Sequence, residues 1–166
     1  MRIKLISIFF ISFLFYSCET DDSVPVDEYG AALLGSWSRT DVIPSGGSEA
    51  DYRYFDMVAT YRFLSDYSYS YTIDFYGFED DDPEEIIGSS ENTGTYRVEG
   101  DSVFIKAMVN TSWDKVFQPN PETIDLNVEA YASRFKIVDD KLTLYYISYP
   151  ADAPIAAEIS YIRQNP

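Results

Sequence analysis

The side chains in this sequence best suited to do something chemical are its tyrosines. There are 15 Tyr and 11 Phe in 166 residues. Tyr67, Tyr69, Tyr71, Tyr96, Tyr131, Tyr146 and Tyr161 fall on the same strand face as Ile73, Val98, Phe135, Leu142, Leu144 and Ile159. A phenol has an apolar body and a polar tip, so it packs like a hydrophobe yet needs a hydrogen-bond partner when buried. Leaving one bare costs about 1–3 kcal/mol. Seven inward phenols are hard to satisfy in a dry core but natural around a cavity holding water or an amphipathic ligand. The competing reading places several of them outward, on cross-strand aromatic ladders. Alternation fixes which residues share a face, not which face is inside.

Most other chemistries are excluded by composition. The chain has no His, which removes Ser-His-Asp and Cys-His relays and the His-rich ligand sets of catalytic zinc. One Cys permits no internal disulfide and no Cys-X-X-Cys redox pair. A formal charge of −16 argues against nucleic acid, whose phosphates need Lys and Arg. Carboxylates are so numerous that a pair resembling a glycosidase dyad is guaranteed by number alone and carries no signal. The acidic run Glu79, Asp80, Asp81, Asp82, Glu84 and Glu85 lacks the ligand spacing and turn glycine of an EF-hand, and reads as a solvated loop. Binding is therefore expected rather than catalysis, with no catalytic residues, no cofactor and no metal site.

The elements that must position the tyrosines have the period of strands. From Tyr67 to Phe75 aromatic or aliphatic residues occupy odd positions and polar ones even positions, which buries one face and wets the other. Met57, Ala59, Tyr61 and Phe63 repeat the pattern one strand earlier, with Ser65-Asp66 as a tight connection. Tyr96–Ile105 and Phe135–Leu144 align as two similar hairpins, turning at Gly100-Asp101 and Asp139-Asp140. With a first strand at Gly35–Ile43 and a last at Ala157–Arg163, the expectation is an all-β, up-and-down antiparallel meander of about eight strands. Closing it into a barrel removes the open edges that invite aggregation; a sandwich is the main competitor. Asp27–Leu33 is expected to form one short helical turn. Asn110–Val128, with Trp113, Pro119 and Pro121, reads as a long connection, and Phe78–Glu85 as a second.

The N-terminus carries an address. Arg2 and Lys4 precede an apolar run from Leu5 to Tyr16 that is too short to span a membrane. Phe15-Tyr16-Ser17-Cys18 resembles the lipobox of bacterial lipoproteins, although Phe15 and Tyr16 are bulkier than the usual Leu and Ala. The resemblance implies a lipoprotein signal peptide over 1–17 and lipid attachment, palmitate included, at Cys18. Residues 18–32 then form an acidic tether and 33–166 the barrel domain. Glu19-Thr20-Asp21-Asp22 is similar to stretches that direct some lipoproteins to the cell surface, which places the protein on the outer membrane. Cleavage would leave 10 basic residues against 28 acidic ones, or −18, so lipid rather than charge would hold it to the membrane.

Leu33-Leu34-Gly35-Ser36-Trp37 and Gly94-Thr95-Tyr96-Arg97-Val98-Glu99-Gly100-Asp101-Ser102-Val103 resemble motifs of lipocalin-like domains in secreted bacterial lipoproteins. The likeness covers most of Leu33–Arg163. It implies a calycin-type barrel whose first-strand Trp37 packs beside Arg163 of the last strand and closes one end. A guanidinium stacked on an indole would by itself contribute about 0.5–2 kcal/mol. The function expected from the tyrosine-rich face is binding of a small apolar or aromatic molecule, or a glycan fragment, at the seven tyrosines; the resemblance in fold does not decide it. The alternative is a filled barrel that meets a protein or glycan through the segments at Asn110–Val128 and Phe78–Glu85.

Overall fold

The computed structural model describes residues 28–44, 53–77 and 85–165. The leader, Cys18, the tether up to Asp27 and the acidic loop at Glu79–Glu84 lie outside them. One short helix, α1 (Glu28–Leu33), leads into β1 (Gly35–Pro44). Then come β2 (Arg53–Phe63), β3 (Ser68–Tyr76), β4 (Ile86–Glu99) and β5 (Ser102–Asp114). The chain continues through β6 (Gln118–Asp125), β7 (Tyr131–Val138), β8 (Lys141–Ser148), a 3-10 turn at Pro150–Asp152, and β9 (Ile155–Gln164).

Every pairing is antiparallel. The order β4-β3-β2-β1-β9-β8-β7-β5-β6 is closed by a further pairing of β4 with β5. The result is an eight-stranded barrel with β6 as an added strand. The segment Asn110–Val128 is thus not the long connection expected from its composition. β5 runs on to Asp114, turns over Lys115–Phe117 and returns as β6, pairing Asn110 with Ile124 and Ser112 with Glu122. Proline is tolerated there because β6 is an edge strand, where a missing N–H costs no ladder bond.

Two glycines of the sequence motifs have definite structural duties. Gly35 sits at φ +113°, a conformation L side chains rarely adopt, with Arg163 Nη1 just 3.1 Å from where a Cβ would be. Gly94 lies opposite an irregularity in β5: Thr93 pairs with Val109 but Gly94 with Ala107. A Cβ on Gly94 would fall 2.0 Å from the Lys106 carbonyl oxygen, so only glycine admits this close approach.

Among the described residues the barrel has a closed end and an open one. The turns at Leu64–Tyr67, Gly100-Asp101 and Asp139-Asp140 all fall at the end of the barrel where α1 enters β1. The inward residues here (Leu33, Trp37, Phe63, Tyr96, Val103 and Leu142) are buried. Trp37 Nε1 donates to the Leu33 carbonyl at 2.8 Å. Arg163 lies 3.9 Å over the Trp37 ring and donates to the carbonyls of Leu34 and Ala32, each at 2.8 Å. A cation stacked on indole and bonded to two helix-end carbonyls ties last strand, first strand and helix together.

Toward the other end the pairing loosens. β1 meets β9 only at Ser36–Ser38, and β5 meets β7 only at Ser102–Ile105. β8 leaves β7 after Tyr145, so the β8–β9 hairpin is held by its neighbours at its base alone.

Candidate functional site

The register assigns one face of every strand to the interior. Trp37, Arg39 and Asp41 of β1 stand opposite Tyr61, Ala59 and Met57 of β2. These stand opposite Tyr71, Ile73 and Phe75 of β3, which face Asn92, Ser90 and Gly88 of β4. Asn110 and Ser112 of β5 continue the ring. Along each strand burial falls from the closed end upward. On β3, Tyr69 is buried while Tyr71, Ile73 and Phe75 are only half-buried; on β5, Val103 and Ile105 are buried while Asn110 and Ser112 are not. Among the described residues the barrel is packed below and less buried above.

Between the two halves lies a layer of phenols. The Tyr61 ring stacks on Tyr71 at 4.3 Å and meets Tyr161 edge-on at 5.3 Å. The Tyr61 and Tyr131 hydroxyls are 3.2 Å apart, and Tyr161 and Tyr71 share a second hydroxyl pair. Pairing phenol with phenol satisfies each without a carbonyl or a charge. Burial drives the pKa values of Tyr61, Tyr161 and Tyr131 upward, with neighbouring phenols adding to it for Tyr61 and Tyr161, so all three stay neutral.

Beside this layer sits an ion pair. Arg39 Nε donates to Asp41 Oδ2 at 2.9 Å, and Nη2 reaches the same oxygen. Its guanidinium carbon lies 6.0 Å from the Tyr161 ring centre. Burial opposes the charge on Arg39, but the Asp41 carboxylate outweighs it and the guanidinium holds its proton more firmly than usual. Two walls rise above. The β4–β5 wall is polar: Asn110 Nδ2 donates to Ser90 Oγ at 3.0 Å and to Asn92 Oδ1 at 2.9 Å. The β2–β3 wall is apolar, made of Met57, Ile73 and Phe75.

The seven tyrosines named from sequence all share the inner face, but the structure does not gather them at one place. Tyr71, Tyr131 and Tyr161 belong to the phenol layer. Tyr146 stands above it at the rim, 44% exposed. Tyr69 and Tyr96 are buried in the closed end, where burial pushes each pKa up to about 12 and the Tyr96 hydroxyl donates to the Leu64 carbonyl at 2.8 Å. Tyr67 is in the base turn at φ 62°, its carbonyl accepting the Tyr96 N–H at 2.9 Å. Trp37 and Arg163 are stacked at the base. Cys18 lies outside the described residues. Tyr61, Arg39, Asp41, Asn92 and Asn110 were missed by sequence reasoning. The signal was available for Arg39 and Asp41, which follow Trp37 at strand period, and for Tyr61, which alternates with Phe63.

A groove of about 530 Å³ lies on the outside of the closed end, between Tyr29 and Ala32 of α1 and Arg134 and Lys136 of β7. Arg134 pairs there with Asp101 at 2.7 Å, facing solvent, and none of the phenol layer lines the groove. Among the described residues no cluster of His, Cys, Asp or Glu is arranged to hold a metal ion. The chain matches no family model and no curated protein sequence.

Proposed function

We propose that this chain is a non-enzymatic lipoprotein of the cell envelope, lipid-anchored to the outer membrane at Cys18. Its lipocalin-like barrel holds a small ligand with an apolar or aromatic face above the phenol layer. The observation that carries the ligand reading is the burial gradient: inward aromatic and aliphatic side chains at Tyr71, Ile73 and Phe75 remain accessible to solvent in an otherwise packed barrel. α1 begins at the closed end, so the tether would leave the barrel opposite its mouth. The ten residues from Cys18 to Asp27 reach at most about 35 Å, which sets how far the barrel can stand from the membrane.

An uncharged apolar dye whose fluorescence rises in dry surroundings tests the ligand reading. It should bind with one site per chain and lose most of its affinity in Tyr71→Ala, while the same change at Tyr29 should leave it intact. No binding, or equal loss in both variants, would remove the mouth as the site. Growth in labelled palmitate tests the anchor: label should enter the chain and vanish in Cys18→Ala, and label persisting in that variant would end the lipoprotein reading.

A second reading is favoured by the tip of the β5–β6 hairpin, where Val116 is 75% and Phe117 91% exposed. Exposed apolar residues at a hairpin tip are a common way to meet a protein partner. In that reading the contact is made at the rim and the barrel is a support. Trp113, half-buried on the outer face of β5, does not join it.

A further inference from the structure

We infer that the ligand class is a neutral sugar: a pyranose-sized ring with a C–H face and a hydroxyl edge. This rests on the binding reading above and names what the mouth would select.

The polar wall carries the first part of the argument. Asn110 Nδ2 is held between Ser90 Oγ and Asn92 Oδ1 and also reaches the Glu91 carbonyl at 3.4 Å; that carbonyl can only accept, which sets the Asn110 amide and, through it, the Asn92 amide. Among the described residues, the Asn92 amide nitrogen and the Asn110 amide oxygen then have no protein partner. A donor and an acceptor stand side by side on an inward face that is only half-buried. A hydroxyl group both donates and accepts, so adjacent hydroxyls complement this pair; a carboxylate, which only accepts, would meet the Asn110 oxygen unfavourably. A purely apolar occupant would cover both groups and leave them bare.

The apolar wall supplies the second part. Ile73 and Phe75 stand beside Ser90 and Gly88 across the β3–β4 ladder. A ring lying between them would present C–H groups to one side and hydroxyls to the other. Charge supplies the third. Arg39 is the cation beside the phenol layer, and Asp41 already neutralises it. The chain as a whole carries −16, which disfavours an anionic guest.

The test uses the full chain in a detergent without sugar groups. It is titrated calorimetrically with neutral mono- to tetrasaccharides, with their uronic acid and sulfated counterparts, and with the apolar dye. Neutral sugars should bind, and Asn92→Leu and Asn110→Leu should each weaken them about tenfold, the worth of one good hydrogen bond. Dye affinity should not fall in either variant, and both should still melt cooperatively, a little lower for the hydrogen bonds each removes. Should one variant fail to fold, the other and Ser112→Ala carry the comparison. Dye binding without neutral-sugar binding, or preference for the acidic sugars, overturns the sugar class and leaves the binding barrel standing. Absence of both dye and sugar binding overturns the two together.

Discussion

The two ends of this barrel use the same residue type for opposite purposes. At the closed end Tyr69 and Tyr96 are part of the filling: the Tyr96 hydroxyl donates a hydrogen bond to the Leu64 carbonyl and its ring meets Phe63 edge-on at 5.0 Å. In the phenol layer, Tyr61, Tyr71, Tyr131 and Tyr161 bond to one another, and above them the inward face opens to solvent. The difference follows from what else each strand contributes. Below, the neighbours are Leu33, Val103 and Leu142; above, they are Ser90, Asn92, Asn110 and the Arg39–Asp41 pair. Apolar neighbours force a phenol to find backbone, whereas in the layer the buried Tyr61 and Tyr161 find their partners in other phenols. Tyrosine alone therefore does not mark a ligand site; its company does.

Mutations should separate the two ends, and the largest effect belongs below. Trp37→Ala would empty a fully buried site and cost about 3–5 kcal/mol in urea unfolding. Gly94→Ala should follow at about 1–3 kcal/mol, because the Lys106 carbonyl must move away from the added methyl. Arg163→Lys keeps the charge but loses the planar stack and one of two carbonyl bonds; a loss of about 1–2 kcal/mol is expected.

Alkaline titration should give a gentler contrast. Tyr69 and Tyr96 have folded-state pKa values pushed from 10.0 up to about 12, so the native state prefers their neutral form. Their contribution is complete below pH 10 and lost as the pH rises through about 12. Urea midpoints should be flat below pH 10 and fall above it, and Tyr96→Phe should flatten that fall. A midpoint that declined from pH 8 would contradict the assignment. At the rim, Tyr146→Ala should change stability by less than about 0.5 kcal/mol. A loss comparable to that of Trp37→Ala would mean the upper half is packed after all.

Much of the closed end was legible in the chain because it obeys one rule. Tyr67–Phe75 alternates strictly, and Gly35, Trp37 and Gly94 stand where turns and close approaches require them. The helix at Glu28–Leu33 was likewise within reach. The upper part of β4–β6 was harder to read because those strands are polar on both faces. Ile86–Thr95 and Thr111–Asp125 offer no alternation of apolar and polar residues, so Gly88-Ser89-Ser90 and Gln118-Pro119-Asn120-Pro121 look like loops. Their strand conformation comes from the ladders on either side, a tertiary effect that local pattern does not carry. The polar wall at Asn92 and Asn110 was hidden for the same reason: its members are brought together by the β4–β5 register, 18 residues apart in the chain.

The central claim is that the half-buried upper interior is a binding site and not an unfinished core. Native mass spectrometry of the protein purified from its own host tests this most directly. The account predicts a species heavier than the lipidated chain by one small molecule, released on unfolding and absent from Tyr71→Ala. A single bare mass for the wild-type chain, together with no uptake of the apolar dye or of any neutral sugar, would contradict it.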